Sequence, residues 1–131
     1  MWRRTAAARG PRVRWRGEIW LPTGEGGGWH GYALDRVPPG VSAVEDDLRM
    51  YRGRIQVASG RFVDLGAGVA PPDAGTARKL LAAAFPATPG MAPVRPLERW
   101  LAVVTRGGRT ALVRPLAEAA EAVVVLVQVW E

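Results

Sequence analysis

The chain has no cysteine and no asparagine, one histidine (His30) and one lysine (Lys79) among its 131 residues. Without cysteine there is no disulfide, no thiol nucleophile and no thiolate metal site. A zinc site built on His30 alone would need carboxylates for most of its ligands, which is uncommon. The acidic run Glu45-Asp46-Asp47 lacks the alternating oxygen ligands and distal glutamate of a calcium loop. Long apolar runs are missing too. The longest, Ala122 to Val127, is strand-sized and far short of the ~18 residues that cross a bilayer. No apolar segment follows the early arginines, so a secretory leader is not expected. The expected setting is the cytoplasm or an intracellularly assembled particle, with no membrane contact, no cofactor and no evident small-molecule ligand.

Catalytic signatures are equally sparse. Ser42 and Ser59 are the serines that could join His30, and neither sits in a G-x-S-x-G elbow. The glycine-rich stretch Pro22 to Gly28 lacks the G-x-x-x-x-G-K-[ST] spacing that cradles a phosphate. No catalytic or metal-binding residue is assigned, and the chain is not expected to be an enzyme.

Arginine is what the chain has in excess, and its placement is uneven. Arg3, Arg4, Arg9, Arg12, Arg14 and Arg16 are all the charged side chains before Glu18 and account for the whole net charge of +6. The rest of the chain carries twelve basic and twelve acidic residues. Residues 1–11, ending in the breaker pair Gly10-Pro11, read as a flexible basic arm, and 12–131 as a single β-rich domain. Such an asymmetry points to a tail that meets an acidic surface or nucleic acid. A GC-rich coding bias accounts for the general surplus of arginine, alanine, glycine and proline, which lowers the weight of any one arginine.

Period-two alternation runs from Arg12 to Leu21, with Val13, Trp15, Gly17, Ile19 and Leu21 on one face and Arg12, Arg14, Arg16, Glu18 and Trp20 on the other. On a strand, those three arginines would stand ~6–7 Å apart, close to the phosphate spacing of a nucleic-acid strand. Arg52 and Arg54 would extend the row if their strand lay nearby. Trp20, on the arginine face, is the expected interface anchor, because Trp and Arg are enriched at binding hot spots. A second strand is expected over Trp29 to Val37. A capping box at Ser42 to Glu45 suggests a helical turn to about Leu48. Arg49 to Ala58 reads as one alternating strand. Ser59-Gly60 and Gly107-Gly108 read as hairpin turns. Asp73 is a credible N-cap for a helix over 74–85, with Ala77, Leu80, Leu81, Ala84 and Phe85 as its apolar stripe. Residues 116–122 suit a helical turn or a loop. Val123 to Trp130 is a strand apolar on both faces, either central in its sheet or covered by a partner.

The expected fold is therefore α+β and mainly β: an antiparallel sheet or small open barrel of six to eight short strands with one packed helix. Arg16-Gly17-Glu18-Ile19-Trp20 resembles the opening strand of MazF/PemK-type endoribonuclease toxins, which are small β-barrel proteins. That resemblance implies ribonuclease activity and a following Arg-Pro-apolar strand that supplies a catalytic arginine. Here the chain has Asp35-Arg36-Val37-Pro38 instead, and no site residue is carried over. The leading expectation is a non-enzymatic assembly or binding module, a component of a larger particle such as a viral capsid or head–tail structure. Its arm would dock on a neighbouring subunit. A nucleic-acid-binding regulator using the same arginine face is the alternative, and an endoribonuclease toxin the third.

Overall fold

Alternation sets the long strands and short turns set the rest. The computed structural model describes residues 11–23, 30–87 and 90–131. Of the arm, only Pro11 falls among them. Ten strands form: β1 (Val13–Pro22), β2 (Gly31–Ala33), β3 (Gly40–Ser42), β4 (Leu48–Tyr51), β5 (Arg54–Val57), β6 (Phe62–Gly66), β7 (Met91–Pro93), β8 (Trp100–Val104), β9 (Thr110–Glu118) and β10 (Ala122–Trp130). The helix α1 spans Ala74–Ala83. All pairings are antiparallel, in two five-stranded sheets of order β1-β10-β9-β8-β6 and β3-β2-β4-β5-β7. Among the described residues, the mainly β class with one helix is as the residue pattern predicts, with ten strands in place of six to eight.

The main core lies between the sheets. Ile19 and Leu21 of β1, Val123, Val125, Val127 and Val129 of β10, and Leu101 and Val103 of β8 meet Leu48, Met50, Ile55 and Val57 of the second sheet. Burying each valine contributes about 1.5–3 kcal/mol. A second cluster fills the other face of the first sheet, where Ala74, Ala77 and Leu81 of α1 pack on Trp100, Ala102, Leu112 and Trp130. This explains the doubly apolar terminal strand. β10 lies between β1 and β9, and its alternate residues enter two different cores.

Several expectations are corrected. The alternation at 49–58 is two strands, because Arg52 and Gly53 both take positive φ (49° and 76°) and close a two-residue hairpin turn. Glycine enters that region without a Cβ penalty. Ser59-Gly60 does turn the chain, but between sheets: β5 lies in one and β6 in the other. Gly107-Gly108 closes the β8–β9 hairpin as expected. The strand expected over 29–37 is only β2, because Leu34 and Asp35 turn away to bond with other loops; Trp29 lies outside the described residues. No helical turn follows Ser42. Its Oγ accepts the Glu45 N–H (2.9 Å), the local half of a capping box, but Glu45 pairs with Arg36 (2.9 Å) and the chain enters β4. Residues 116–118 extend β9, and Ala119 N–H bonds the Ala122 carbonyl in a tight turn. Here pairing with β10 overrides helical propensity. The helix keeps Asp73 as its cap, whose carboxylate accepts the Thr76 N–H at 2.7 Å. It ends at Ala83, leaving Phe85 92% exposed and Leu80 at its rim.

Candidate functional site

Two groupings of charged residues emerge, and they differ in kind. The first is β1, the outermost strand of its sheet. It pairs with β10 from Val13 opposite Trp130 to Pro22 opposite Ala122, and no described strand pairs with its other side. Ile19 and Leu21 point into the core, whereas Arg16, Glu18 and Trp20 are exposed, Trp20 at 57%.

The expected row of Arg12, Arg14 and Arg16 does not form. A register shift between Val13 and Trp15 makes Arg14 the extra residue of a bulge. Its guanidinium donates to the Asp35 carbonyl through Nε (3.1 Å) and Nη2 (2.8 Å), and Nη1 pairs with the Glu131 carboxylate at 3.1 Å. Arg12 and Arg16 remain exposed. Arg52, in the β4–β5 turn, and Arg54, at the start of β5, belong to the other sheet and do not extend the row; Arg52 stacks over Tyr51, 5.4 Å from the ring centroid. Arg3, Arg4 and Arg9 lie outside the described residues.

The second grouping gathers three loops at one end of the sandwich, and residue pattern alone missed it. Asp47, 3% exposed, accepts the backbone N–H of Leu34 and of Arg106, each at 2.6 Å, one per carboxylate oxygen. Burial raises its pKa above the ordinary aspartate value, against the pull of those two bonds. Asp35 receives the Thr105 hydroxyl (2.7 Å), the Arg109 guanidinium (2.9 Å) and the Gly107 N–H (2.9 Å). Its partial burial would raise the pKa, but the donors outweigh it and hold the carboxyl below the usual value. A Cβ at Gly107 would lie 2.9 Å from that carboxylate, so the close approach needs glycine. Asp46 binds Arg49 Nε at 2.6 Å, and its carbonyl accepts Arg106 Nε at 2.8 Å.

Chemically this second grouping is a clasp. Each oxygen of Asp35 and Asp47 is already occupied by a donor from another loop, which suits loop fixation better than proton transfer. Two clefts of about 240 and 350 Å³ flank Arg106, one against Asp46 and Arg49, the other against Asp35 and Arg36. A third, of about 250 Å³, lies between the start of α1 and Arg16, Trp100 and Trp130. Ser42 and Ser59 bond backbone groups, and His30 is exposed. Among the described residues no group of three His, Asp or Glu is placed to hold a metal ion, and no helix is long and apolar enough to cross a membrane.

No protein-family model, curated protein or solved structure matches the chain. The likeness to the toxin strand therefore rests on residues 16–20 alone.

Proposed function

We propose that the chain is a non-enzymatic assembly module that docks on a neighbouring subunit through β1 and the arginine-rich arm leading into it. One observation carries this reading: β1 is a ten-residue edge strand with an exposed Trp20 and no described strand beyond it. An unpaired edge presents a row of backbone donors and acceptors that templates another strand. An exposed tryptophan among arginines supplies the anchor chemistry common at protein interfaces. The arginines of the body mostly serve the fold instead: Arg14, Arg36, Arg49, Arg95, Arg99 and Arg109 each pair with a carboxylate. Arg12, just before β1, and Arg16, within it, are exposed and in no ion pair among the described residues, and with the arginines that precede them in the chain they put positive charge at this edge; Arg52, Arg54 and Lys79 are exposed elsewhere. Membership of an intracellularly assembled particle fits a module of this kind.

Light scattering coupled to size exclusion tests the proposal on the full chain and on a chain lacking residues 1–11, with and without a short nucleic acid at low and high salt. The expected result is a defined oligomer that weakens without the arm and ignores nucleic acid. A monomer that shifts only with nucleic acid at low salt would replace this reading with an electrostatic nucleic-acid binder.

A further inference from the structure

The four sheet edges are not equivalent. β3 and β7 are three residues long, and β7 ends in Pro93. β6 has five residues and a register shift between Asp64 and Gly66, and Asp64 is held by Arg99. Shortness, proline, irregularity and charge are the usual devices that keep an edge from pairing. β1 has ten residues, and its bulge at Arg14 and its proline, Pro22, lie near its two ends, so Trp15 to Leu21 form a regular unpaired edge longer than any of the other three.

From this contrast we infer that the partner of β1 is β1 of a second copy of this chain, paired antiparallel about Gly17 so that two sheets join into one of ten strands. The inference rests on the assembly reading above and names its partner. Register carries the argument. In antiparallel pairing, residues directly opposite share a face, so a two-fold axis must pass through a residue pair that keeps Ile19 and Leu21 on the core side. With the axis at Gly17, Arg16 of each copy stands opposite Glu18 of the other, giving two reciprocal attractive pairs. Moving the axis one residue to Arg16 sets two arginines opposite each other; moving it to Glu18 sets two glutamates opposite each other. Like charges directly opposed destabilise a sheet. An axis at Ile19 sets Glu18 opposite Trp20 and Arg16 opposite Pro22, with no ion pair between them. Gly17 is therefore the axis position at which β1 complements itself.

In the same register Trp20 of one copy lies diagonal to Arg16 of the other, within the reach of long side chains across a sheet.

The test is a charge-swap cycle read by sedimentation equilibrium on the full chain, with circular dichroism confirming the fold of every variant. Arg16→Glu and Glu18→Arg should each weaken the dimer about tenfold or more, because two attractive pairs become two repulsive ones. The double swap R16E/E18R should return the affinity to near the parent value. Since the chain has no cysteine, a second readout is available. Mixing separately prepared Arg16→Cys and Glu18→Cys chains under mild oxidation should cross-link faster than either alone. A dimer whose affinity ignores all three charge variants, with no preference for the mixed cross-link, overturns the Gly17 register while leaving assembly standing. A chain that is monomeric at every concentration overturns the second copy as partner. Loss of neighbour binding on arm removal remains the separate measure of the assembly reading.

Discussion

Arg14 and Arg16 are two residues apart on one strand and do opposite things. Arg14 is turned by a bulge onto the Asp35 carbonyl and the Glu131 carboxylate, and so ties β1 to the far sheet and to the chain end. Arg16 stays exposed beside Glu18 and Trp20. The same contrast runs through the molecule. At the clasped end, arginines and aspartates satisfy one another across loops; along β1, Arg16 and Glu18 stay exposed. Identity of the residue did not separate the two roles, whereas register and partners did.

Breaking the clasp should have the largest effect. Asp47→Ala leaves the Leu34 and Arg106 N–H groups without their acceptor, and should lower stability by about 3 kcal/mol in urea denaturation, without a direct effect on assembly. Trp20→Ala should do the reverse: stability within about 0.5 kcal/mol of the parent, but association weaker by about 2 kcal/mol, roughly thirtyfold in Kd. Within β1 the comparison is sharpest. Arg14→Ala should cost about 1 kcal/mol of stability. Arg16→Ala should change stability by less than about 0.5 kcal/mol and act on association alone.

The smallest effect is in pH dependence. Asp35, with its pKa lowered on folding, contributes stability that is present above the ordinary value of 3.8 and lost as pH falls through its folded pKa. Asp47, with its pKa raised, works the other way: its contribution is full below 3.8 and lost as pH rises through its folded pKa. Urea midpoints measured between about pH 2.5 and 6 should therefore fall less steeply on acidification in Asp35→Asn than in the parent, and more steeply in Asp47→Asn.

How much of this was legible in the chain follows from where each partner comes from. β1 and β10 could be read because alternation and β-branching are local, and Asp73 because a helix cap is bonded three residues away. The β4–β5 hairpin was hidden because Tyr51, Arg52, Gly53 and Arg54 keep a period of two straight through the turn. Ser42 and Glu45 misled because half of the capping box is real while Asp46 and Asp47 bond residues about sixty positions on. The clasp was unreadable for the same reason: Asp35 finds Thr105, Gly107 and Arg109 only once two sheets are stacked. The exposure of Arg16 and Trp20 followed from alternation, but the diversion of Arg14 depends on its register against β10.

The central claim, that β1 is an assembly edge, is tested most directly by amide hydrogen exchange at several protein concentrations. The account predicts that the amides of residues 13–21 that point away from β10 become more protected as concentration rises, while those of β6, the opposite edge of the same sheet, do not change. Exchange in β1 that is independent of concentration over the range where the chain associates would contradict it and move the interface elsewhere.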